Sequence, residues 1–223
     1  MDFSYQLYSS RNFQPWENIF TMLREAGYKQ VEGIGALYED PDKTRASLDQ
    51  NGLTMPTGHF ALDMLENESG RVLEIAATLN MKAVYCPFLL PDQRPDTAAG
   101  YVEFGQRLEK AGKACVDAGL KFGWHNHDFE FHKLEDGSYP MDRIFEGGPS
   151  LGWEADLAWV ARGGCDPQEW VERHSSRISA VHVKDIASAG ECTDEDGWAD
   201  VGHGTLDWKG LMQATRNTPA EYF

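Results

Sequence analysis

A glycine recurs at one place in this chain: just after a stretch of helical character and just before a short apolar run. It appears in Arg24-Glu25-Ala26-Gly27-Tyr28, in Asp49-Gln50-Asn51-Gly52-Leu53 and in Val116-Asp117-Ala118-Gly119-Leu120. The residue just past a helix end commonly takes the left-handed backbone conformation, which glycine adopts without steric penalty. A strand that starts at once after each helix is the pattern of alternating α/β architecture around a parallel sheet.

Read along its length, the sequence predicts strands over residues 3–8, 30–33, 53–60, 83–87, 120–125, 151–156 and 180–185. Helices are expected over 15–26, 42–51, 66–80, 96–118, 141–146, 166–174 and 206–215. Glu221-Tyr222-Phe223 reads as the opening of one more strand. An open doubly wound sheet usually has a glycine-rich phosphate turn after its first strand, whereas Ser9-Ser10-Arg11-Asn12 has no glycine. The expectation is therefore a (β/α)8 TIM barrel, one domain over residues 1–223, with the chain stopping inside its eighth strand.

The chain has ample material for a core: 41% of its 223 residues are hydrophobic, including seven Trp and eleven Phe. A formal net charge of -16 opposes binding to a phosphate backbone, so nucleic acid is not expected as a partner, while a divalent cation suits an acidic site. Cys86, Cys115, Cys165 and Cys192 lack zinc-knuckle spacing and read as reduced thiols of a cytoplasmic protein. Neither a secretory leader nor an apolar run of membrane-spanning length is evident, so no membrane partner is expected.

Function in such barrels gathers at the C-terminal ends of strands. Here those ends are rich in histidine and carboxylate: His59, then His125-Asn126-His127-Asp128, then Glu154-Ala155-Asp156, then His182-Val183-Lys184-Asp185. Residues two apart on a strand share a face, so His125 with His127, Glu154 with Asp156, and His182 with Lys184 are expected to point together. Imidazole and carboxylate without thiolate is a ligand set for Mn²⁺ or Co²⁺, with Zn²⁺ and Mg²⁺ as alternatives. A bound cation would polarise a carbonyl and acidify a neighbouring hydroxyl, which suits proton transfer beside a carbonyl. Plainer readings stand beside these. His59 alone suits a hydrogen-bonded rim residue, Lys184 and Asp185 can pair with each other, and His203 lies in a loop between two glycines. The acidic run over 191–196 suits a solvated loop or a lid.

Several of these segments together resemble the xylose isomerase-like TIM-barrel superfamily, in its sugar phosphate isomerase/epimerase branch. Trp124-His125-Asn126-His127-Asp128-Phe129-Glu130-Phe131 is similar to that branch's HNHDFEF signature, and Val181-His182-Val183-Lys184-Asp185 to its HxKD strand. Glu154-Ala155-Asp156-Leu157-Ala158-Trp159-Val160 and Val201-Gly202-His203-Gly204-Thr205-Leu206-Asp207-Trp208 resemble two further segments, and Tyr5-Gln6-Leu7-Tyr8-Ser9-Ser10-Arg11 resembles the opening strand. The resemblance implies one divalent metal held by His125, Asp156 and His182, with a fourth ligand, a glutamate, expected beyond Phe223. His125 and His203 stand where many relatives have Glu.

It also implies a small keto-sugar or polyol substrate and a sugar isomerase or epimerase reaction. His127, Glu154 and Lys184 are the candidates for proton transfer and charge stabilisation, and Gln6, His59, Trp124, Asp185 and His203 for substrate contact. A dehydratase acting on inosose-type keto-polyols is the nearest alternative. A phosphodiesterase like the endonuclease IV branch is opposed by the charge, and a catalytically inactive barrel is suggested by the incomplete eighth strand. The oligomeric state is left open, a homo-oligomer being one option.

Overall fold

The computed structural model describes residues 2–223, which cluster into two compact units. Of these, the first comprises residues 2–89, 110–123 and 222, and the second residues 90–109, 124–221 and 223.

The first unit holds β1 (Ser4–Gln6), α1 (Trp16–Glu25), β2 (Gln30–Gly33), α2 (Pro41–Gln50), β3 (Thr54–His59), α3 (Leu62–Asn67), α4 (Ser69–Leu79) and β4 (Ala83–Cys86). α5 (Ala98–Asp117) ends in this unit, and β5 (Lys121–His125) begins in it. Strands β1 to β4 pair in chain order, all parallel. β4 and β5 are neighbours, and Lys121 N–H donates to Lys82 O just before β4, at 2.9 Å. The helices cover the sheet with regular apolar stripes, as in α4, where Val72, Ile75, Ala76 and Leu79 are buried at helical spacing. Parallel strands covered in this way are buried on both faces, as β4 is throughout.

The second unit continues with the end of β5, then α6 (Pro140–Gly147), β6 (Gly152–Asp156), α7 (Leu157–Arg162), α8 (Pro167–His174), β7 (Ile178–His182), β8 (Asp185–Ile186), β9 (Trp198–Ala199) and α9 (Trp208–Thr215). Its strand order is β5-β6-β7, and β6 and β7 are parallel. Glu154 lies beside Ala180, and Asp156 beside His182. A register shift at Trp153/Glu154 re-aims the carboxylate-bearing end of β6. β8 and β9 form a separate antiparallel pair. Among the described residues no helix is long and apolar enough to cross a membrane.

Gly27, Gly52 and Gly119 all have positive φ, as the repeated motif requires. The helix expected over 66–80 is instead two, α3 and α4, divided at Glu68, and α4 ends on Asn80 in the left-handed conformation (φ 57°) where glycine serves elsewhere. α7 was not expected; Asp156 starts it by accepting a hydrogen bond from Trp159 N. The strand expected over 180–185 runs instead from Ile178 to His182. Lys184 and Asp185 leave it because Trp208 Nε1 holds Lys184 O at 2.7 Å and the Asp185 carboxylate gathers the following loop. The shared strand face expected for His182 and Lys184 is therefore corrected: Lys184 lies past the end of β7. At the C-terminus Glu221 N donates to Ser179 O at 3.1 Å, beside β7, where an eighth strand was expected to open.

Candidate metal and active site

The strand-end chemistry of the second unit comes from three neighbouring strands. β5 ends on His125, β6 on Glu154 and Asp156, and β7 on His182. Glu154 and Asp156 lie two apart on β6, hence on one face, and are 0% and 1% exposed. Glu154 Oε2 sits 3.2 Å from His125 Nδ1 and 3.5 Å from His182 Nε2. The other nitrogen of His182, Nδ1, faces Asp156 Oδ2 at 3.7 Å, and Lys184 Nζ approaches the same oxygen at 3.8 Å. The His125 and His182 rings are 4.4 Å apart, and those of His125 and His127 5.2 Å.

Buried carboxylates are unfavourable unless cations or hydrogen bonds compensate them. Burial pushes the Asp156 carboxyl up, but the Lys184 ammonium and the His182 and His125 imidazoles outweigh it and hold it at about 2. Burial lowers Lys184, an effect the nearby Arg162 guanidinium reinforces and Asp156 opposes.

The donor set fits a divalent cation. His125, Glu154 and His182 each offer a ligand atom, all within 4.8 Å of one another. Ligands about 2.1 Å from one ion lie roughly 3 to 4 Å apart, the range in which the two Glu154 contacts fall. The sequence placed Asp156 among the ligands and Glu154 in proton transfer. In the structure Glu154 stands between the two imidazoles, and Asp156 stands across His182 while capping α7.

Two buried polar side chains, neither of them singled out from the sequence, hold the β5 end in place. Asn126, wholly buried, donates from Nδ2 to Asp156 O at 3.0 Å, and its Oδ1 accepts from Asp156 N at 3.0 Å and from Trp153 Nε1 at 2.8 Å. Its carboxamide thus stands in for a peptide group, carrying the β5–β6 ladder one step past the end of β5. Glu130 accepts from Trp124 Nε1 at 2.8 Å and from His127 N at 3.0 Å. Burial raises its carboxyl to about 8, against the lowering pull of these hydrogen bonds and of Arg94. Both lie in the segment similar to the HNHDFEF signature, as a carboxamide between two histidines and a carboxylate between two phenylalanines.

The remaining candidates are placed as follows. Trp124 is buried, with its indole N–H on Glu130 and its ring 5.3 Å from Phe104. His127 is half-buried, with its ring 5.2 Å from that of Trp159. Asp185 is buried and accepts N–H donors from Ile186, Gly202, Gly204 and Leu206 at 2.9 to 3.2 Å. Burial raises its carboxyl, but these donors outweigh that and hold it below the usual range. His203 is exposed on the loop so gathered. In the first unit, Gln6 ends β1 and accepts from Tyr8 N at 2.6 Å, and His59 ends β3 with Nε2 3.2 Å from Glu32 Oε1.

Sequence reasoning also missed an aromatic–cation group. Trp159 of α7 and Trp198 of β9 meet edge to face at 4.9 Å. Lys184 Nζ lies 3.5 Å from the Trp198 ring centroid, and the Arg162 guanidinium 3.3 Å from it.

Comparison with known proteins identifies the family. The xylose isomerase-like TIM barrel family matches residues 20–221, and the chain belongs to it. The fold is accordingly a TIM barrel, as the alternation of elements led us to expect. An inosose dehydratase of Geobacillus kaustophilus is 24% identical over 196 residues, which cover 76% of this chain and 62% of that protein, so the chain spans less than two thirds of that relative's length. A sugar phosphate isomerase/epimerase structure from Parabacteroides distasonis superposes with a TM-score of 0.82 at 19% identity, over 99% of this chain and 84% of that one. The 3-keto-D-glucoside 4-epimerase of E. coli gives 0.71 at 17% identity, over 100% and 90%. A probable 3-DHS dehydratase of Bacillus anthracis gives 0.74 at 13%, over 99% and 90%. These relatives are named as enzymes of two classes, isomerases or epimerases and dehydratases.

Proposed function

We propose that the chain is a metal-dependent isomerase or epimerase acting on a small keto-sugar or polyol by proton transfer beside a carbonyl. One observation carries the reading: at the ends of β5, β6 and β7 two imidazoles converge on a wholly buried carboxylate, with an ammonium close by. Such a cluster is costly to bury, and strand ends are where this fold places its chemistry.

In this reading His125, Glu154 and His182 hold one divalent ion, Mn²⁺ or Co²⁺ by donor type. When bound, the ion polarises a carbonyl and acidifies an adjacent hydroxyl. Asp156 orients His182 through Nδ1 and draws Lys184 in through Nζ, as outer partners of ligands commonly do. Lys184 offsets the negative charge that develops on the substrate oxygen as the proton leaves. His127, beside His125 and half-open to solvent, takes the proton. In an isomerisation it returns it to the neighbouring carbon while a hydroxyl proton passes between the two oxygens, and in an epimerisation a second group returns a proton to the same carbon from the opposite face. His203, on the Asp185-gathered loop, is the candidate for contact with substrate hydroxyls.

A second reading, a keto-polyol dehydratase, is favoured by the likeness to an inosose dehydratase. The same proton removal followed by loss of a hydroxyl would give it. The test is incubation of the chelated and then Mn²⁺- or Co²⁺-reloaded protein with keto-sugars and inososes in D₂O. Isomerisation or epimerisation gives a product of the same formula carrying solvent deuterium, and dehydration gives a product lighter by one water. Absence of any metal-dependent product, whether isomer, epimer or dehydrated ketone, from every substrate would sink both readings.

A further inference from the structure

We propose that Trp198, carried on the β8–β9 hairpin, is a positioning residue that clamps the Lys184 ammonium against its ring and so aims it at Asp156. The inference deepens the reading above, since it rests on Lys184 meeting the substrate.

Lys184 follows β7 by two residues, and its backbone is fixed by Trp208 Nε1 on its carbonyl. The side chain has four rotatable bonds, and its ionic partner, Asp156 Oδ2, is at 3.8 Å, too long to fix one rotamer. What surrounds the ammonium is aromatic: the Trp198 ring at 3.5 Å and the Trp159 ring at 4.9 Å. A ring face attracts an ammonium electrostatically, worth from about twofold at exposed sites to roughly thirtyfold where water is excluded.

The clamp is itself held from α7. Arg162 donates to Asp196 O and lies 3.3 Å from the same Trp198 centroid. Trp198 thus reaches Lys184 only because β8 pairs with β9, Ile186 opposite Trp198, and because Arg162 holds the turn. β8 begins at Asp185, the residue next to Lys184, so the hairpin register places Trp198 close to the ammonium.

The test compares Trp198→Leu, which keeps an apolar side chain and loses the ring face, with Trp198→Phe, which keeps a face. Acylation of Lys184 by an amine-reactive ester is followed by mass spectrometry against the exposed Lys29 in the same sample. Lys184 labelling should rise about threefold or more in Trp198→Leu and stay within about twofold in Trp198→Phe. Turnover should fall about tenfold in Trp198→Leu with KM little changed, and recover in Trp198→Phe. Unchanged Lys184 labelling in Trp198→Leu overturns the clamp whatever turnover does. Raised labelling with unchanged turnover upholds the clamp and overturns the placing of Lys184 at the substrate. If Trp198→Leu fails to fold, Trp198→Met supplies the same comparison.

Discussion

Replacing Asn126 with alanine tests the most local claim, that a single carboxamide sets the relative placement of the β5 and β6 ends. The wild-type side chain satisfies three buried groups at once: Asp156 N, Asp156 O and Trp153 Nε1. Asn126→Ala strands all three in a region where Trp153 and Asp156 are almost fully buried. Each buried polar group left without a partner costs about 1–3 kcal/mol, and a water entering the vacated space recovers part of that. The expected loss is therefore about 3–5 kcal/mol, at the upper end for a single substitution. Urea unfolding followed by tryptophan fluorescence should show a lower midpoint with unchanged slope, because the surface exposed on unfolding is the same. Metal affinity should fall about 10- to 100-fold as His125 loses its fixed distance to Glu154. A stability loss under about 1 kcal/mol would refute the reasoning, since it would mean that the ladder past β5 is held by something other than this side chain.

Further outcomes follow from the same geometry. Glu154→Gln should abolish divalent-metal binding by calorimetry, whereas Asp156→Asn should weaken it and leave a measurable affinity; the reverse order would return Asp156 to the ligand set. Glu130 has a folded-state pKa near 8, above its ordinary 4.5, so the folded state binds the extra proton between those values and stability should decline as pH rises from about 4.5 to 8. Glu130→Gln should flatten that decline in a series of urea midpoints against pH, and an equally steep decline in the variant would rule the assignment out. Gly204→Ala places a Cβ against the Asp185 carboxylate and the Ile186 carbonyl, so the loop over 200–206 must shift; proteolysis there should accelerate while the urea midpoint moves little.

The parallel α/β order was legible because it is written locally. A glycine after each of three helices and an apolar run after each glycine are short-range signals, and Gly27, Gly52 and Gly119 adopt the backbone they imply. The clustering of His125, Glu154, Asp156 and His182 was legible for a related reason: two-residue periodicity on a strand and the tendency of such sheets to work at one end. The different neighbours of Glu154 and Asp156 were not, because two carboxylates on one strand face look alike until His125 on β5 and His182 on β7 are placed beside them: Glu154 meets both imidazoles, and Asp156 meets His182 and Lys184. The strand-seven boundary was misjudged because Val181-His182-Val183-Lys184 alternates well as a strand, while the forces that end it come from Trp208 and the loop of Gly202, Gly204 and Leu206, about twenty residues further on. Trp198 lies in an acidic segment with no periodicity, so its contact with Lys184 depends on a hairpin register that composition does not encode.

The buried acids connect stability with activity in this fold. Glu154 and Asp156 are held out of water by β6, and their compensation comes from His125, His182 and Lys184 on flanking segments. A divalent ion at the proposed site would neutralise Glu154 further and should therefore stabilise the folded state by mass action, about 2.7 kcal/mol at a hundredfold excess over its Kd. For a chain of this size that corresponds to a rise of roughly 5–10 °C in Tm. The stabilisation must vanish in Glu154→Gln, because the variant removes both the charge that needs compensation and the ligand that captures the ion. A metal-induced rise in Tm that survives Glu154→Gln would mean that the ion binds elsewhere, and that the convergence of imidazole and carboxylate at these strand ends serves packing alone.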